Sequence, residues 1–141
     1  MLVGKYDLTV EAKDKGDLKD TGVVEIGVTN VNEAPVFVPA SIADKSIDEN
    51  SEVGTPVGTK VAVTDVDAGS THTFTLPASE TVFQISTDGQ ISLKSAVLDH
   101  ELKDFYNVVV TATDNGVPAQ SVQTTIKVVV TDVNELSLIH I

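Results

Sequence analysis

The chain contains no cysteine, no tryptophan and no arginine. Without cysteine, neither disulfides nor a thiolate zinc centre can hold the fold together. Cations are scarce: nine lysines stand against 21 acidic residues, giving a formal net charge of −12. A surface of that sign cannot neutralise phosphates, which argues against nucleic acid. It is repelled by anionic membranes as well. No apolar run approaches the roughly 20 residues that span a bilayer, so direct membrane insertion is not expected of this segment. Met1–Lys15 has neither the basic nor the apolar region of a signal peptide. No stretch carries the apolar stripe of an amphipathic helix. An acidic surface readily stays soluble or binds cations, and the placement of its carboxylates decides between the two.

What is present is a repeat. The segment Tyr6-Asp-Leu8-Thr-Val10-Glu-Ala12-Lys-Asp14-Lys-Gly16 returns as Tyr106-Asn-Val108-Val-Val110-Thr-Ala112-Thr-Asp114-Asn-Gly116. Val24, Ile26, Val28, Asn30, Val31, Asn32 and Glu33 are answered by Ile126, Val128, Val130, Asp132, Val133, Asn134 and Glu135. The offset of about 100 residues is the length of a β-sandwich domain. Residues 1–33 therefore read as the C-terminal strands and linker of one copy, and residues 34–135 as a complete copy with its own linker. The hexapeptide Leu136-Ser-Leu-Ile-His-Ile141 breaks the pattern. It resembles the translation of a sequencing adapter and is expected to be a scar outside the fold, which would make both ends of the chain accidental.

Within the complete copy the local pattern is β. Tyr106, Val108, Val110 and Ala112 alternate with more polar neighbours, as do Ile126, Val128 and Val130. Further strands are expected at Val57–Thr64, His72–Leu76, Val82–Ser86 and Gln90–Lys94, with turns at Asp88-Gly89 and Asn115-Gly116. Several short strands at this spacing predict an all-β sandwich of about seven strands.

The acids fall at strand ends and connections. Asp65-Val-Asp67 closes a strand, and alternate residues of an extended chain point to one side. Leu98-Asp99-His100-Glu101 repeats that spacing, Asp48-Glu49-Asn50 lies near the domain start, and Asp132-Val-Asn134-Glu135 ends it. Calcium takes about six to eight hard oxygens in a flexible cage, and carboxylates with an asparagine amide are suitable donors; magnesium demands stricter geometry. An EF-hand loop starting at Asp65 would need an acid where Leu76 stands, so that motif does not apply.

Taken together, Glu49 before Asn50, Asp65 with Asp67, Asp99 with Glu101, Asp114, and Asn30-Val-Asn32-Glu33-Ala-Pro35 resemble the motifs of cadherin repeats, in the family's order. The likeness runs from Tyr6 to Glu135. It implies a Greek-key sandwich of immunoglobulin-like architecture, with calcium held at the junctions between consecutive repeats. Asp65, Asp67 and Asp114 would then face the upstream junction with Asn30, Asn32 and Glu33. Glu49, Asp99 and Glu101 would face the downstream one with Asp132, Asn134 and Glu135. Asn30 stands where the family has an aspartate, which removes a charge and weakens the upstream site. Glu33 and Glu135 replace the commoner aspartate with a longer reach. His100 has no second histidine at ligand spacing and reads as a surface residue.

The resemblance implies a calcium-stiffened extracellular spacer in a larger secreted or membrane-anchored cell-surface protein. Its partners would be adjacent repeats of the same chain and cadherin-type proteins on a neighbouring cell, in homophilic adhesion. Strand exchange through a tryptophan is not expected, since the chain has none. An alternative is a cadherin-like carbohydrate- or matrix-binding module of a bacterial surface protein; such sites need exposed aromatics, which are only 4% of the residues. An enzyme is not expected, because no nucleophile elbow, zinc-protease motif or phosphate loop frames the serines, histidines and acids.

Overall fold

The structure, a computed structural model, describes residues 2–40 and 42–134. Residues 136–141, read above as a scar, lie outside the described residues. The chain divides into two compact units, Met1–Val31 and a second from Asn32 onward.

The first unit is an antiparallel hairpin of β1 (Leu2–Lys13) and β2 (Lys19–Thr29). Its register pairs Tyr6 with Ile26, Leu8 with Val24 and Val10 with Gly22. Because alternate residues share a face, Tyr6, Leu8, Val10, Val24, Ile26 and Val28 form one apolar surface. Each of these side chains is 44% to 65% exposed. The connecting turn is built on Asp14, whose Oδ1 accepts the amides of Gly16 (2.7 Å) and Leu18 (3.0 Å).

The second unit carries β3 (Val36–Phe37), β4 (Lys45–Asp48), β5 (Val63–Thr64), β6 (His72–Thr75), β7 (Phe83–Ile85), β8 (Ile91–Leu93), β9 (Phe105–Asp114) and β10 (Ser121–Thr131). One sheet has the order β4-β10-β9-β6, with β4 parallel to β10 and the other pairs antiparallel. The pairs β3–β5 and β7–β8 supply the opposing layer. The result is an all-β sandwich. Its hairpin β9–β10 keeps the register of the first, pairing Tyr106 with Val128 and Val108 with Ile126. Here, however, the apolar face is covered: Val108, Val110, Ile126, Val128 and Val130 are 0% exposed. Phe37, Ile47, Val57, Val61, Phe83, Ile91 and Leu93 are among the residues that join that core, and Phe83 meets Tyr106 edge-on at 5.4 Å. Burial of side chains this size contributes about 1.5–3 kcal/mol each, which supports the sandwich in a chain with no cysteine for disulfides.

The strand expected at Val57–Thr64 shrinks to Val63–Thr64. Pro56 at its start has no N–H to give to a ladder. The segment instead follows β8 through spaced bonds, Val57 N to Ile91 O and Val61 N to Gly89 O, both 2.8 Å. Val57 and Val61 remain buried, so the apolar pattern is satisfied without a continuous strand.

Candidate functional site

The antiparallel course of β9 and β10 brings Asp114 and Ser121 to one end of the second unit, and Phe105 and Thr131 to the other. At the Thr131 end, β4 runs parallel to β10 and delivers Glu49 beside the outgoing chain. Glu49 is 5% exposed. Its Oε2 accepts the amide of His100 and its Oε1 the amide of Val133, each at 2.9 Å. These two bonds, the His100 amide foremost, hold its carboxyl below the usual carboxylate range against the opposing effect of burial. Carboxylate oxygens of Glu49, Glu101 and Asp132 all lie within 4.8 Å of one another. Among the described residues this is the one acidic trio so gathered.

Asp99 behaves differently from the reading of an extended Asp99-His-Glu101 pair. Residues 99–103 form a turn: the Asp99 carbonyl accepts the amide of Lys103 at 2.9 Å, and its Oδ1 accepts the amide of Leu102 at 3.1 Å. The carboxylate thus caps the turn while Glu101 projects from it. His100, read as a surface residue, is half-buried, and its Nδ1 donates to the Val130 carbonyl at 2.7 Å. That bond raises its pKa, helped by the charges of Asp132, Glu101 and Glu49. Asn134 is exposed; Glu135 lies outside the described residues.

At the Asp114 end, Asp114 is 5% exposed and serves several donors. Its Oδ1 accepts the amides of Gln120 and Gly116, both at 2.9 Å, and its Oδ2 accepts Asn32 Nδ2 at 2.9 Å. The Gln120 amide is the leading cause of its lowered pKa. Asp65 and Asp67 leave the extended chain just after β5: Asp65 Oδ1 accepts the amide of Asp67 at 2.9 Å. Asp67 Oδ2 in turn accepts the amide of Glu33 at 2.9 Å. This end therefore unites Asn32, Glu33, Asp65, Asp67 and Asp114. Asn30 belongs to the first unit. The sequence reading missed His72, whose Nε2 lies 3.1 Å from Asp65 Oδ2 and which stands opposite Asp114 in the β6–β9 register. A lone histidine opening a strand carries no motif, so only the register could have revealed it.

Residues 44–131 match the family model of the cadherin domain. The chain is 35% identical over 141 residues to the protocadherin-like wing polarity protein stan of Drosophila melanogaster, an alignment covering 93% of this chain and 4% of that protein. It is 33% identical over 137 residues to the human cadherin EGF LAG seven-pass G-type receptor 2, covering 95% of this chain and 5% of that protein. The crystal structure of the protocadherin GammaB4 extracellular domain superposes with a TM-score of 0.66 at 27% identity, over 93% of this chain and 23% of that one. The chain thus spans a small part of the relatives it matches. The domain match over more than half its length, on a sandwich with acids gathered at its ends, places the chain in the cadherin family.

Proposed function

We propose that the second unit is a calcium-binding extracellular repeat that stiffens a cell-surface rod and so supports calcium-dependent adhesion. The observation that carries this reading is the convergence of Glu49, Glu101 and Asp132 to within 4.8 Å. Three carboxylates at that spacing repel one another, and a hard dication offsets the repulsion by sharing their oxygens. The donor set fits. A carboxylate offers about four lone-pair sites, so the two amides on Glu49 leave it able to accept more. Asp99, Asn134 and Glu135 would complete the downstream half-site. Asn30, Asn32, Glu33, Asp65, Asp67 and Asp114 would furnish the upstream one.

Residues 1–33 are proposed to be the last two strands and linker of a preceding repeat. Support comes from the shared register of β1–β2 and β9–β10 and from the shared turn at Asp14 and Asp114. The bare face of β1–β2 would be covered in an array by a layer of the kind that covers β9–β10 here. Calcium at such junctions would supply shared coordination where two repeats meet. At 10 to 100 times the dissociation constant, each ion would stabilise its bound state by about 1.4–2.7 kcal/mol. The proposed partners are neighbouring repeats and cadherin-type proteins on an apposed cell. Carbohydrate binding has little to build on, since the exposed aromatics among the described residues are Tyr6 and Phe105, and Lys127 lies over the Phe105 ring.

Isothermal titration of the chain with calcium chloride tests the site assignment. Heat of binding is expected, weakened by Asp67→Asn and by Glu101→Gln. Absence of heat at millimolar calcium would overturn it. Small-angle scattering of two consecutive repeats, with calcium and with chelator, tests the stiffening through the maximum dimension.

A further inference from the structure

We propose that Asn32 and Gly116 form a latch that fixes the linker on the second unit without any metal. Asn32 is half-buried, and its Nδ2 donates to Asp114 Oδ2 and to the Pro118 carbonyl, both at 2.9 Å. Both partners only accept, so the amide nitrogen is the atom that must face them. One residue later, the Glu33 amide donates to Asp67 Oδ2 at 2.9 Å. Two successive linker residues are thus held on the aspartates by neutral donors, one from a side chain and one from the backbone.

Gly116 is the seat of the latch. A Cβ at this position would lie 1.9 Å from Asn32 Oδ1 and 2.0 Å from its Cγ. Its φ is not in the left-handed region, so the requirement is for space rather than for backbone freedom. The first unit carries a related turn. Asp14 closes a turn two residues shorter, with Oδ1 accepting from Gly16 and Leu18 where Asp114 Oδ1 accepts from Gly116 and Gln120. There, a Cβ on Gly16 would meet only the carboxylate of Asp14 itself, at 3.3 Å.

The consequence concerns order. Donation from Asn32 and Glu33 offsets part of the repulsion among Asp65, Asp67 and Asp114 and sets the linker's register before a cation arrives. A linker already ordered has less conformational freedom to lose on binding. This inference goes beyond the calcium reading, because the latch operates in chelator.

Amide hydrogen exchange of the whole chain in chelator, followed by NMR, tests it. The Glu33 amide is expected to be protected. Gly116→Ala and Asn32→Ala should each accelerate its exchange about tenfold or more, the scale of one hydrogen bond to a charged group, while leaving Val110 and Val128 unchanged. The double variant should exchange no faster than either single one. Additive effects, or an unchanged Glu33 in Asn32→Ala, would overturn the proposal. Should Gly116→Ala also expose Val110, adding Asn32→Ala must restore its protection; failure to restore it overturns the proposal too. A calorimetric titration without heat would defeat the calcium reading and leave the latch standing.

Discussion

The backbone amide of His100 donates to Glu49 Oε2 at 2.9 Å and so joins the loop before β9 to the end of β4. The second oxygen of Glu49 takes the amide of Val133, where the chain leaves β10. One buried carboxylate therefore braces two connections and also belongs to the acidic trio with Glu101 and Asp132. Support of the fold and the proposed calcium chemistry meet on one side chain.

That double duty separates Glu49 from Glu101. In Glu49→Gln the amide group can accept at one end only, so one backbone N–H faces another donor. Thermal melts in chelator are expected to show a lower midpoint for Glu49→Gln. Glu101, exposed on its turn, makes no such brace, and Glu101→Gln should stay within about 0.5 kcal/mol of the parent. Calorimetry should show both variants weakened toward calcium.

Titration behaviour follows from the same contacts. The carboxyls of Glu49 and Asp114 are held below their usual values of 4.5 and 3.8 by backbone amides. Their stabilising contribution is full above those usual values and is lost as pH falls through the lower folded ones. His100 is shifted up from 6.5 by its bond to the Val130 carbonyl. Its contribution is full below 6.5 and is lost as pH rises through the higher folded value. Melting temperature in chelator should therefore fall steeply below about pH 4 and decline slightly as pH rises past 6.5. His100→Gln should remove the decline above pH 6.5, and Asp114→Asn should flatten the acid one.

Much of this was legible in the sequence because repetition exposes function. Asp14-Lys-Gly16 and Asp114-Asn-Gly116 could be aligned by eye, and the two turns share the bond from the glycine amide to the aspartate Oδ1. Period-two alternation located β9 and β10, whose buried side chains alternate with half-buried or exposed ones. The segment before β5 was harder, since Val57 and Val61 are buried as a strand's would be while Pro56 breaks the ladder. The acids were found, but not their geometry. Alternate spacing suggests carboxylates side by side, whereas Asp65 and Asp99 each turn a carboxylate onto a nearby backbone amide. Such local bonds compete with extended structure and leave no periodic trace. Nor does spacing reveal that Asn32 needs a glycine 84 positions further on.

The repeat also permits a comparison of one sequence position in two settings. Ile126 and Val24 occupy equivalent places, opposite Val108 and Leu8. Ile126 is 0% exposed and Val24 is 49% exposed. Ile126→Ala should cost about 2–5 kcal/mol, transfer and cavity effects together. Val24→Ala should stay within about 0.5 kcal/mol. Denaturant unfolding followed by one probe in each unit distinguishes them. If the two costs prove equal, the face of β1–β2 is covered in solution.

Gly89 offers the most direct check on the packing of the second layer. It holds φ at 90° in the turn joining β7 to β8, and a Cβ there would approach the Val61 carbonyl to 2.3 Å. Gly54 has nearly the same φ, 92°, with nothing within 4 Å of its would-be Cβ. Gly54→Ala should therefore cost only the backbone strain, about 1–2 kcal/mol. Gly89→Ala adds the collision and should cost clearly more, because the carbonyl of Val61 belongs to a chain pinned by its own amide to Gly89 O at 2.8 Å. Exchange of the Val61 amide should quicken in Gly89→Ala and stay unchanged in Gly54→Ala. Equal costs in the two variants would mean that the 57–62 segment yields freely and does not pack against β8 as described.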